Sequence, residues 1–87
     1  MHIYDVLASV KTTKNYRSHQ LSLGRVIRRK REALGISQEK FAELIDCHRN
    51  YVGLVERGEL NVTLEMAARF AVGLKCRVTD LVREAGF

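Results

Sequence analysis

Between Leu21 and Ala85 the apolar residues recur three and four positions apart, and the rhythm is interrupted by capping signals rather than by proline, which the chain lacks. A chain so patterned forms helices, each too short to be stable without the others. LSLGRVIRRKREALG sets Leu23, Val26, Ile27, Ala33 and Leu34 on one stripe and stops at Gly35, a favoured residue just past a helix end. Ser37 offers a hydroxyl cap to a second helix of about nine residues, with Glu39 in its first turn and Phe41, Ala42 and Ile45 as its apolar set. After a break at Asp46 and Cys47, His48 stands where it can cap a third helix, RNYVGLVERG, which stops at Gly58. Thr63 caps a fourth, carrying Leu64, Ala67, Ala68, Ala71 and Leu74. Thr79 beside Asp80 opens a short fifth with Leu81, Val82 and Ala85. No segment reads as a strand. The expected fold is all-α: a compact five-helix domain over residues 21–87, with short connections that force steep packing. Residues 1–20 read as an N-terminal arm. Ile3, Leu7 and Val10 have helical spacing there, but KTTKNYRSHQ is polar and aperiodic, so the arm's conformation stays open.

Composition excludes several classes of function. With 46% hydrophobic and 29% charged residues the chain is no disordered tail. A domain of 87 residues hides only about 60 to 65% of its unfolded surface, so self-association is expected to add burial. Cys47 and Cys76 form no C-x-x-C pair and have no flanking histidine cluster, so no disulfide framework, metal site or cofactor is expected. The apolar runs fall short of the 18 or so residues of a membrane span. In MHIYDVLASVK, Asp5 interrupts the apolar stretch and the lysine follows it, the reverse of a secretory leader, so a cytoplasmic location is expected. Metalloprotease, P-loop, nucleophile-elbow and Rossmann signatures are missing, and no catalytic residue is assigned. The net charge of +5 favours an anionic partner, nucleic acid or acidic lipid, without choosing between them.

The third helix makes the choice. At about 100° per residue, His48, Tyr51, Val55 and Glu56 fall within roughly 100° of Val52, while Arg49, Asn50, Gly53, Leu54 and Arg57 share another arc. One face is core. The other carries the side chains that pair bidentately with guanine (Arg) and adenine (Asn) in a major groove wide enough for a helix. Gly53 forgoes about 1 kcal/mol of helix propensity, which implies close approach of another group.

The segment SQEKFAELIDCHRNYVGLVERGELNVTLEMAARFAVGLKCRVTDLV resembles the helix-turn-helix domain of the phage repressor and Cro type, a family that includes restriction-modification controller proteins and small bacterial regulators. The resemblance extends back through REALGI to cover roughly residues 23 to 82. Its most specific elements are LGISQE and Tyr51-Val52 followed by Glu56-Arg57-Gly58. It implies a lambda-repressor-like fold and a sequence-specific regulator that binds double-stranded DNA as a homodimer. It implies that Gln38 contacts a phosphate, that Arg49, Asn50, Gly53 and Leu54 face bases, and that Arg31 and Glu56 form a structural ion pair. Leu54 departs from the polar residue common in relatives and suits a thymine methyl or no contact. Asp46 stands where the family's turn has a left-handed glycine, a conformation Asp tolerates better than most residues. On the helical wheel Glu56 sits at the edge of the buried arc, but Lys30 lies nearer the apolar stripe than Arg31, and only the resemblance favours Arg31.

Each reading has a plainer competitor. The run Arg25, Arg28, Arg29, Lys30 and Arg31 reads as a solvated face or as phosphate contact and steering. His48 is a cap or packed side chain before it is a ligand, Cys47 and Cys76 are small buried hydrophobes, and Tyr51 either packs or reaches a phosphate. The candidate DNA contacts are Gln38, His48, Arg49, Asn50, Tyr51, Gly53, Leu54 and Arg57. Leu81, Val82 and Phe87 are the candidate dimer contacts. The alternative reading is an antitoxin or other protein-interaction module, marked by a client groove built from residues 1–20 rather than a self-complementary patch near the last helix.

Overall fold

The computed structural model describes residues 15–86. Most of the expected arm, and Phe87, lie outside the described residues. Five helices and no strand occur among the described residues: α1 (Asn15–Ala33), α2 (Gln38–Leu44), α3 (Arg49–Glu56), α4 (Leu64–Gly73) and α5 (Val78–Glu84). None is long and apolar enough to cross a membrane.

The caps follow the sequence closely. Ser37 Oγ accepts the Lys40 N–H at 3.0 Å, and Thr63 Oγ1 accepts that of Met66 at 3.1 Å, each satisfying a donor the helix start leaves unpaired. Asp46, in the turn between α2 and α3, is left-handed with φ 54°, and the same device recurs between α4 and α5 at Lys75, φ 60°. In both turns the next residue is a cysteine whose N–H returns to the preceding helix: Cys47 to the Ala42 carbonyl at 3.0 Å, Cys76 to that of Ala71 at 2.9 Å. Both cysteines are free and half-buried against the core, and burial pushes both thiols up.

Three boundaries differ from expectation. First, α1 begins at Asn15 rather than near Leu21, because the residues ahead of Leu21, Arg17 and Ser18 among them, carry no apolar periodicity to announce a helix. A helix nucleated by the packed turns that follow extends into such residues at little cost. Second, α2 has seven residues. Third, α5 begins at Val78 rather than Thr79: the Arg77 N–H donates to Asp80 Oδ2 at 2.9 Å, so Asp80 holds the helix start from its third position. That bond is the main reason the Asp80 carboxyl lies below the usual carboxylate range.

The core is built on Phe41 and Phe70, whose ring centres stand 5.4 Å apart at a 49° tilt, with Ile27, Val52, Val55 and Leu81 buried around them. Full burial of each such side chain is worth about 1.5 to 3 kcal/mol. Val26 and Ile27 hold the α1 stripe as expected, but Ala33 and Leu34 are exposed. The inward contacts of that last turn are made instead by two cations, Lys30 to Glu84 at 2.8 Å and Arg31 to Glu56 at 2.6 Å. Leu81 requires a correction. At 1% exposure it is closed inside the single chain, where it fastens α5 to the core, and it offers no surface to a second copy. Val82 is half-buried.

Gly24, in the middle of α1, sets the position of α3. A Cβ at Gly24 would lie 2.5 Å from the carbonyl oxygens of both Val55 and Glu56, so the two helix backbones touch there.

Candidate nucleic-acid interface

The third helix presents its sides as the wheel requires. Val52 and Val55 are buried, while Arg49 and Asn50 stand exposed in the first turn. His48 is an exception, exposed although the wheel put it on the core arc. It is the extended N-cap residue, φ −80° and ψ 141°, where a helical wheel no longer applies, and its Nδ1 accepts the Asn50 N–H at 3.1 Å. Tyr51 is half-buried with its ring centre 6.0 Å from that of Phe70, and desolvation is the first cause that raises its phenol.

Behind the exposed face lies a buried ionic frame. Arg31 Nε and Nη2 donate to the two oxygens of Glu56 at 2.6 and 3.0 Å, and Nη1 donates to the Ile36 carbonyl at 2.8 Å. The pair joins α1 to α3 at 8% and 7% exposure, and the hydrogen bond to Glu56 raises the guanidinium above its already high pKa. The same Glu56 Oε1 also accepts from Gln38 Nε2 at 3.0 Å. Gln38, first residue of α2, is thereby held against α3 with one amide hydrogen still available outward.

Gln38, Arg49, Asn50, Gly53, Leu54 and Arg57 line one shallow depression. Of the eight candidate contacts the structure thus brings six together and sets two apart: His48 serves as a cap and Tyr51 packs on the core. Gly53 owes its cover to the tips of its neighbours. A Cβ there would meet Arg57 Nη1 at 3.0 Å and Gln38 Oε1 at 3.7 Å, both on side chains that can move. The fold itself does not require this glycine. Gly53→Ala is therefore expected to raise stability by about 1 kcal/mol, the helix-propensity difference, while weakening duplex binding. Thermal melting and a binding titration on the same variant check both halves.

The basic run of α1 is largely engaged within the chain. Arg28 faces Glu32 at 3.6 Å, Arg29 and Lys30 share Glu84 at 3.2 and 2.8 Å, and Arg31 holds Glu56, while Arg25 is exposed. At the end of α3, Arg57 Nε donates to Glu59 Oε2 at 2.9 Å. Glu59 and Gly24 are the residues near the site that sequence reading passed over. Only Gly24 left a signal, a glycine inside a helix where alanine is favoured.

Comparison with known proteins covers this same region. The family model described as Helix-turn-helix matches residues 27–81, a span that contains all six converging residues and both members of the ion pair. Control protein C.SmaI of Serratia marcescens is 40% identical over 60 residues, 69% of this chain and 71% of that protein. The crystal structure of the restriction-modification controller protein C.AhdI from Aeromonas hydrophila superposes with a TM-score of 0.70 at 39% identity, covering 71% of this chain and 94% of that one. The clp gene regulator ClgR from Corynebacterium glutamicum superposes with a TM-score of 0.74 at 28% identity, covering 77% and 86%.

Proposed function

We propose, because this chain belongs to the helix-turn-helix family, that it is a DNA-binding transcriptional regulator that lays α3 in the major groove and acts as a homodimer. The observation that carries this reading is the convergence of Gln38, Arg49, Asn50, Gly53, Leu54 and Arg57 on one outward depression, backed by a buried ion pair. In this reading Arg49 pairs with guanine, Asn50 with adenine, and Leu54 meets a thymine methyl. Gln38 positions the module by giving its remaining amide hydrogen to a phosphate. A single module buries too little surface for tight specific binding, whereas two recognition helices about 34 Å apart read successive major grooves on one side of the duplex. The two relatives near 40% identity are both control proteins, one of a restriction-modification system, which supports the same regulated class here.

Selection of bound duplexes from random DNA tests the assignment. Arg49→Ala is expected to relax preference at one position and to cost about 1 to 3 kcal/mol, while Gln38→Ala weakens all sequences alike. An unchanged consensus for Arg49→Ala would remove Arg49 from the readers.

A further inference from the structure

The fourth helix carries apolar residues well beyond its buried face. Phe70, Ala71 and Leu74 face the core, yet Leu64 and Val72 are 79% and 78% exposed, with Ala68 exposed between them and Leu44 of α2 beside them at 57%. These are the largest exposures among the bulky apolar side chains described. A helix of this kind normally lies buried, and bulky apolar residues gathered in one place mark a contact. Leu44, Ala68 and Val72 line an open depression between α2 and α4, and Leu64 stands beside it.

We infer that this face is an isologous interface between two copies of the chain, α4 packing antiparallel on its own twin about a two-fold axis through Ala68. The occupant follows from the pattern. Leu64, Ala68 and Val72 are spaced symmetrically about Ala68, so the rotation sets the exposed Leu64 of each copy against the exposed Val72 of the other, with the small alanine at the crossing. The charges obey the same symmetry. Glu65 and Arg69 lie along one side of the stripe, paired within the helix at 3.3 Å, and Arg69 also donates to the Asp46 carbonyl at 3.3 Å. Across the axis Glu65 comes within about 3 Å, measured along the helix, of the level of the other copy's Arg69, a gap the arginine stem spans easily. The surface is thus complementary to itself in apolar pattern and in sign. The inference rests on the homodimer reading and supplies the contact that Leu81, buried in its own chain, does not provide.

Sedimentation of the full chain tests it. The wild type is expected to dimerise, and Val72→Glu, at a solvent-facing site, is expected to stay folded by circular dichroism while its dissociation constant rises at least about tenfold. Glu65→Arg and Arg69→Glu should each weaken self-association, and an equimolar mixture of the two should restore it as a heterodimer, because only a contact between chains then pairs both charges. A wild type that stays monomeric, a dimer indifferent to Val72→Glu, or single variants that fail to rescue one another would each overturn the inference, as would capture of a different protein by this face in a monomeric chain. Its failure is distinguishable from that of the DNA reading. Selection with Val72→Glu is expected to keep the half-site bases and lose the paired half-sites, whereas a wild type that selects no sequence at all would sink the reader assignment and leave the sedimentation result standing.

Discussion

Removing the Glu56 carboxylate by substitution with alanine lowers the stability of the fold by about 3 to 5 kcal/mol, the usual consequence of stranding a buried charge. Arg31 is left at 8% exposure with the Ile36 carbonyl as its remaining hydrogen-bond acceptor, and α1 loses its polar tie to α3. Gln38 loses its anchor as well, so duplex affinity falls further than the unfolded fraction alone explains. Urea denaturation measures the first effect, and a binding titration under conditions where the variant is folded measures the second. Replacing both partners with apolar residues, Arg31→Met with Glu56→Leu, should recover much of the stability because no charge is then buried alone. The recovered protein should still bind DNA less well, since Gln38 has nothing to hold it. A Glu56→Ala variant that melts like the wild type would remove the ionic frame from the account.

Gly24→Ala is expected to cost about 3 kcal/mol, near the upper end of ordinary overpacking, even though alanine gains about 1 kcal/mol of helix propensity. The added carbon would lie 2.5 Å from two carbonyl oxygens of α3, and backbone cannot swing aside as a side chain does. Relief requires α1 and α3 to separate, which carries the exposed residues of α3 away from their frame, so affinity should fall along with stability. The contrast with Gly53→Ala is the sharper test. Two glycine-to-alanine changes in helix interiors should move stability in opposite directions, one against backbone and the other against the tips of Gln38 and Arg57. If both variants melted above the wild type, the α1 to α3 contact would be looser than described.

Much of this arrangement was legible in the residues because the physics that set it is local. Ser37, His48 and Thr63 cap the helices they precede, and the periodicity of α3 separates Val52 and Val55 from Arg49 and Asn50, while the left-handed turn at Asp46 is expected from the resemblance. What was not legible depends on neighbours distant in sequence. The wheel favours Lys30 over Arg31, yet both turn inward, one toward α5 and the other toward α3, and the resemblance was needed to pair Arg31 with Glu56. Leu81 and Val72 look alike as apolar residues of short helices, but only packing decides that the first is enclosed and the second is bare. The first turns of α1 stayed hidden because the sequence ahead of Leu21 has no apolar periodicity.

The division of labour around α3 has an evolutionary consequence. Arg49, Asn50 and Leu54 hang from the outside of a scaffold whose integrity depends on other residues, Gly24, Arg31, Glu56 and the two phenylalanines. Those three residues can be exchanged with little penalty to folding, so on the proposed assignment a lineage can drift from one operator to another in single viable steps. Gln38 is yoked to the frame through Glu56 and does not share that freedom. Descendants should therefore diverge in what they recognise long before they diverge in how they grip the strand.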